Sequence, residues 1–239
     1  MACSTRIRLM VCCSLALVVL GVSAFTQPAR AELDPVPLLQ QALRFRVTIH
    51  VNPRTGFMLP AYHCRRAKGG CDARLLEFAH YLKDAGERFE IDPWLLAAMA
   101  FRESGLNPFA VGTVGERGIL QLHPKNRTVK GIRFVRDEWY RTRCKNRIGA
   151  CQKEVVDHAA RMLASSLRKC GGNMEEALGM YNTGRCGGSR RYAERVMTER
   201  GALMRAVGLE DGDLHEGTQL VRASTLSTHA PGATLGALE

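Results

Sequence analysis

Asp92-Pro93-Trp94-Leu95-Leu96-Ala97-Ala98-Met99-Ala100-Phe101-Arg102-Glu103-Ser104-Gly105 is the stretch on which the fold turns. Asp before Pro is a helix start: the carboxylate caps free amide groups and Pro suits the first helical position. Trp94 to Phe101 is apolar on nearly every face, so this helix is buried all round. Gly105 ends it. Glu103 therefore stands out, because a carboxylate at the end of such a helix is costly to bury. Burial disfavours its charged form, and a carboxyl kept protonated near neutral pH is what a general acid requires. The plainer alternative is a helix-end Glu that reaches solvent or pairs with Arg102 or Arg117.

Outward from this helix, periodicity predicts a mostly helical body. Residues 33–44 read as a short helix with Asp34 as N-cap, and Phe45 to Val51 alternates and is β-branched, so it is expected to be extended. Asn52 to Gly70 is loop-like. From Asp72, the residues Leu75, Leu76, Ala79, Leu82 and Ala85 share a helical face, with Gly86 as the stop. Further helices are expected over 152–169, ended by Gly171-Gly172, over 174–182, capped by Asn173, and over 190–206, capped by Ser189.

The 239 residues carry 34 Lys and Arg against 23 Asp and Glu, a net charge of +11. That length suits one medium domain with tails, and an apolar share of 46% excludes wholesale disorder. Aromatics at 6% argue against an aromatic-lined sugar-binding module. Residues 1–31 read as a secretory signal: Arg6 and Arg8, an apolar run from Leu9 to Phe25, then Ala29-Arg30-Ala31. The alternative is an uncleaved anchor; Cys12 lacks the small residue that lipidation expects before it. Residues 207–239 read as a disordered acidic tail. Removing the leader's three Arg, and the tail's one Arg and five acids, leaves 30 basic and 18 acidic residues in 32–206. The positive charge belongs to the body.

Cys3, Cys12 and Cys13 leave with the leader. Six cysteines remain, an even number that in an exported chain reads as three disulfides. Pairing of nearest neighbours (64–71, 144–151, 170–186) closes the shortest loops. Zinc is the rival, but the chain has no Cys-x-x-Cys and no His pair at ligand spacing. From Lys125 to Arg147 nine Lys and Arg face only Asp137 and Glu138, with Trp139 and Tyr140 interleaved. This segment reads as a nucleic-acid patch, as a solvated surface loop, or as a contact for another acidic polymer.

Three more motifs follow Glu103-Ser104 in order. They are Gly118-Ile119-Leu120-Gln121-Leu122-His123-Pro124, Ala177-Leu178-Gly179-Met180-Tyr181-Asn182-Thr183-Gly184, and Arg191-Tyr192-Ala193-Glu194-Arg195-Val196. In this order and spacing they resemble the lysozyme-like catalytic domain of soluble lytic transglycosylases. The resemblance covers about Phe89 to Gly208. It departs at Ile119-Leu120, at Met180, and at Glu116, where such domains often carry Ala.

The resemblance implies a mainly α, lysozyme-like (α+β) domain with extra disulfide-stabilised loops. The chain would divide into a signal (1–31), an N-terminal extension packing on the catalytic domain (32–88), the transglycosylase domain (89–206) and the tail (207–239). It implies Glu103 as the single acid and then base. Ser104 would orient Glu103 or bind substrate, and Gln121, Tyr181, Asn182 and Tyr192 would contact the glycan. Of these, Tyr181 is the one expected to bond the carboxyl or an N-acetyl group, and Tyr192 leans towards packing. The expected substrate is peptidoglycan, cut with a 1,6-anhydromuramoyl product by an exported, periplasmic or extracellular monomer. No cofactor, metal, nucleic acid or stable membrane insertion is expected. The rivals are a muramidase, using Glu116 or Asp137 as a second carboxylate, and a non-catalytic wall-binding domain.

Overall fold

The computed structural model describes residues 34–47, 50–51, 58–59 and 61–210. The leader reading and nearly all of the acidic tail lie outside them. The described chain runs α1 (Pro35–Val47), β1 (His50–Val51), β2 (Met58–Leu59), α2 (Tyr62–Arg65), α3 (Cys71–Phe89) and α4 (Pro93–Ser104). Then come α5 (Arg133–Arg136), α6 (Glu138–Cys144), α7 (Lys153–Lys169), α8 (Met174–Thr183) and α9 (Arg190–Arg205), with 3-10 turns at Arg127–Val129 and Ala150–Gln152. It is mainly helical, as the sequence reading expects.

The α4 helix forms for the reasons visible in its sequence. Asp92 Oδ1 accepts the Trp94 amide at 2.9 Å, Pro93 opens the first turn, and Gly105 closes the helix with a left-handed φ of 59°. Trp94 through Ala100 are all buried. Helices α1, α3 and α9 pack against α4, while α7 bridges α3 to α8 and α8 meets α9. One continuous apolar core results. Leu96 is wholly enclosed, so its truncation to Ala costs about 2–5 kcal/mol.

Two sequence expectations are corrected here. Phe45 to Val47 are not extended: α1 runs on to Val47, because Val36, Leu39, Leu43 and Val47 make one buried helical stripe. Helical burial outweighs the β-branched pattern there, and among the described residues of this stretch His50–Val51 pairs as a short antiparallel ladder with Met58–Leu59. Gly86 is not the end of α3, which continues to Phe89 and turns at Glu90 with φ 55°. Gly86 is needed inside the helix, because the chain folds back so closely that a Cβ there would lie 2.6 Å from the Ile91 carbonyl. On the same helix Phe78 is buried and Leu76 is exposed.

Three disulfides join Cys64–Cys71, Cys144–Cys151 and Cys170–Cys186, the short local loops. Arg46 of α1 makes a two-pronged ion pair with buried Glu199 of α9, at 2.6 and 2.8 Å, and stacks 4.7 Å over Phe101 of α4. A buried pair is costly to break from one side, about 3–5 kcal/mol, so it pins α9 against α1 and α4. Among the described residues no helix is long and apolar enough to cross a membrane.

Candidate active site

Glu103 sits on the last turn of α4, at the edge of a cleft of about 840 Å³. Glu116, Gln121, Tyr181 and Asn182 also line this cleft. Among the described residues Glu103 has no ion pair with Arg102 or Arg117. Its partner is Tyr192 of α9, whose hydroxyl donates to Glu103 Oε1 at 2.6 Å. Burial pushes the Glu103 carboxyl above its ordinary value, and the charge of Glu116 pushes the same way. The Tyr192 bond and Arg102 pull it down, since both favour the ionised form. Burial and the neighbouring Glu103 raise the Tyr192 phenol, which keeps its proton and stays a donor.

The hydroxyl bonded to the carboxyl is that of Tyr192 and not that of Tyr181. Tyr181 lines the cleft, but its hydroxyl donates to the Leu120 carbonyl at 2.9 Å instead of to the carboxyl. Tyr192 is outside the cleft lining and holds the carboxyl from the protein side. Ser104 is also outside the lining. Its hydroxyl is shared between the carbonyls of Ala100, at 3.1 Å, and Ile119, at 2.9 Å.

These bonds converge on the backbone of Ile119 and Leu120. The Ile119 amide donates to Gln152 Oε1 at 3.0 Å, its carbonyl accepts from Ser104, and the next carbonyl accepts from Tyr181. Three side chains from separate elements thus hold one short loop in register beside Glu103. Gln152 is fully buried and was not singled out in the sequence, since a lone Gln at a helix start carries no signal. The loop then aims Gln121 at the cleft. Gln121 has φ 46°, a strained value for a non-glycine residue. Its Nε2 donates to the carbonyls of Gly118, at 2.8 Å, and Ala110, at 3.3 Å. The amide nitrogen is therefore engaged by backbone, and the amide oxygen is the group left for a ligand.

Glu116 is a second carboxylate in the same cleft, with Oε2 accepting the Val114 amide at 3.2 Å. Asp137, the other carboxylate considered from sequence, caps α6 by accepting the Tyr140 amide at 2.9 Å. Asn182 lies on the cleft at the end of α8, just before the loop that Cys170–Cys186 ties to the end of α7. A carboxyl with a raised pKa, a fixed donor behind it and an open cleft before it can carry a proton to a bound group and take one back.

Residues 80–201 match the family described as the transglycosylase SLT domain, a span from the second half of α3 into α9. The chain is also 29% identical over 134 residues to membrane-bound lytic murein transglycosylase F 1 of Alkalilimnicola ehrlichii. That alignment takes in 54% of this chain and 24% of the relative, so the chain spans about a quarter of the relative's length.

Proposed function

The chain belongs to the transglycosylase SLT domain family, and on that premise we propose that it is an exported lytic transglycosylase of peptidoglycan with Glu103 as its single acid and base. The bond cut is the β-1,4 link from N-acetylmuramic acid to N-acetylglucosamine. Protonated Glu103 gives its proton to the bridging oxygen as the C1–O bond breaks. The 2-acetamido group of the substrate stabilises the positive charge at C1. Ionised Glu103, held by Tyr192, then removes the proton from the C6 hydroxyl, and that oxygen closes on C1 as a 1,6-anhydro ring. No water is consumed, and the enzyme is restored.

The observation that carries this reading is a carboxyl that faces the cleft, is bonded at 2.6 Å by the Tyr192 hydroxyl and is pushed above its ordinary pKa by burial, beside a phenol that burial also pushes up. Burial favours the acid form before cleavage, and the Tyr192 bond favours the base form after it. In this reading Gln121 and Asn182 contact the glycan, Tyr181 and Ser104 fix the loop beneath it, and Tyr192 positions the carboxyl.

Glu116 favours a second reading. Glycosidases that use water commonly carry two carboxylates, and Glu116 supplies one in the same cleft. Mass spectrometry of fragments released from purified peptidoglycan separates the two. Anhydro ends support transglycosylation, reducing ends support a muramidase, and no release supports a wall-binding domain. Glu103→Gln keeps the shape of the side chain and removes the proton, so release is expected to fall by about 10²–10⁴-fold. Undiminished release would remove Glu103 from the reaction.

A further inference from the structure

The face built from residues 125–147 carries nine cationic side chains against two acids. Eight of its nine cationic side chains are exposed, Arg141 being the exception. None of the nine makes an ion pair among the described residues. Outside the segment, Lys83, Arg88, Arg190 and Arg200 are among the cations that do have carboxylate partners, in Glu87, Asp157, Glu194 and Asp92. Glu138 is an exposed acid within the segment, and two other acids beside it are engaged. Asp137 caps α6, and Glu154 of α7 accepts the Phe134 amide at 2.6 Å.

The segment is nevertheless held in shape. Cys144–Cys151 closes it, Arg141 donates to the carbonyls of Phe134 and Val135, and Arg133 stacks 4.2 Å over Tyr140. Trp139 is 64% exposed with Arg143 over its ring at 4.5 Å, and no other large apolar side chain of the segment is exposed. Like charges crowded on a fixed surface repel one another, which costs stability and leaves a strong positive potential for an anion. The face is also continuous with the cleft: Lys125, Asn126 and Thr128 line the cleft wall, and the chain runs from there through α5 and α6.

We propose that this face is a docking surface for the carboxylates of the peptide stems borne by the same glycan strand that occupies the cleft. The proposal rests on the function proposed above and adds what part of the substrate lies outside the cleft. The occupant must be anionic and must reach the cleft wall. A strand seated beside Glu103 meets both needs, because its stems project sideways from the sugars and end in carboxylates. A bilayer does not enter a cleft, and one exposed Trp is a small apolar anchor for a membrane surface. Exposed charges of this kind act on encounter and retention more than on the chemical step.

The test compares full-length Glu103→Gln protein with the same protein carrying Arg136→Gln, Arg143→Gln, Lys145→Gln and Arg147→Gln. All four positions are exposed and outside the cleft lining. Co-sedimentation is measured with intact peptidoglycan, with peptidoglycan whose stems an amidase has removed, and with phosphatidylglycerol vesicles, at low and raised salt. The parent is expected to bind intact polymer about tenfold better than stem-free polymer, with a steep loss in salt, and the quadruple variant to lose that advantage. A second variant, Arg136→Lys, Arg143→Lys and Arg147→Lys, keeps the charge and is expected to keep the binding.

Equal binding of parent and Gln variant to intact polymer overturns the proposal. So does equal parental binding to both polymers, loss of binding in the Lys variant, or preference of the parent for vesicles. With Glu103 restored, the Gln variant is expected to turn over short stem-free fragments at the parental kcat. If neither restored protein releases product, the catalytic reading fails, while the sedimentation result still decides the surface.

Discussion

Replacing Tyr192 by Phe removes one hydroxyl and leaves the ring, so it isolates the bond to Glu103. That bond is 2.6 Å long and, once Glu103 ionises, joins a neutral donor to a charged acceptor. Such bonds are worth about 1.5–3 kcal/mol, which corresponds to roughly tenfold to a hundredfold in rate. The cleft side of Glu103 is open to water, which replaces part of the loss. The lower end, about tenfold in kcat/KM near the optimum, is therefore expected. The pH profile carries the sharper information. The Tyr192 bond lowers the Glu103 pKa against the upward push of burial. Without the bond the folded-state pKa rises further, the protonated acid persists to higher pH, and the basic limb of kcat/KM moves to higher pH. The same shift has a stability signature. A carboxyl whose folded pKa lies above its ordinary 4.5 contributes most below that value, and the contribution is lost as pH rises through the folded pKa. Tyr192→Phe widens that window. Tyr181→Phe is the control, since its hydroxyl serves the Leu120 carbonyl and not the carboxyl; it is expected to lower activity without moving the limb upward. A Tyr192→Phe profile whose basic limb stays in place or moves to lower pH would refute the assignment.

Glu116→Gln removes a negative charge that raises the Glu103 pKa, so the basic limb is expected to move to lower pH. If Glu116 instead activates a water, the variant loses reducing-end products, which fragment mass spectrometry reads directly. Gly179→Ala reverses the usual helix preference: a Cβ there would lie 2.9 Å from the Gly188 nitrogen and 3.1 Å from Gly187 Cα. The overpacking cost of about 1–3 kcal/mol exceeds the gain of about 1 kcal/mol from helix propensity, and thermal melting checks the sign. His158 is buried under the cleft wall, where Arg161 donates to Nδ1 at 2.9 Å and leaves Nε2 to donate to Thr128 Oγ1 at 3.3 Å. Burial first, and then the Arg161 charge, lower its pKa from 6.5 to about 4. The fold then holds neutral His158, so its stability contribution is present above 6.5 and lost as pH falls from 6.5 towards about 4. Urea midpoints across that window are expected to fall for the parent and to change less for His158→Gln.

Much of the candidate site is local and so was legible. Asp92-Pro93 and Gly105 bound α4 through contacts within one turn, and Glu103 stands out because it follows the wholly apolar run Trp94–Phe101. Asn173 and Ser189 start α8 and α9 by the same capping chemistry, with Asn173 accepting the Glu176 amide at 3.1 Å and Ser189 the Tyr192 amide at 3.4 Å. The disulfides close loops of seven and sixteen residues, so proximity in sequence already favours them. The failures share the opposite property. Phe45–Val47 has a strand-like pattern, and only the core that α1 meets makes those residues helical.

The sequence by itself determined the long helices, the apolar helix that delivers Glu103 and the basic segment, and it favoured the local cysteine pairs, because each depends on residues within a turn or a short loop. Tertiary structure decided which tyrosine holds the carboxyl. Tyr192 lies 89 positions from Glu103 and Tyr181 lies 61 from Leu120, and spacing along the chain does not say which hydroxyl arrives where. It likewise decided that Gln152, Ser104 and Tyr181 grip the same two peptide units, and that Glu116 shares a cleft with Glu103. Those facts follow from how α4, α7, α8 and α9 pack around one core, where direction and depth are fixed by side-chain fit across the whole chain.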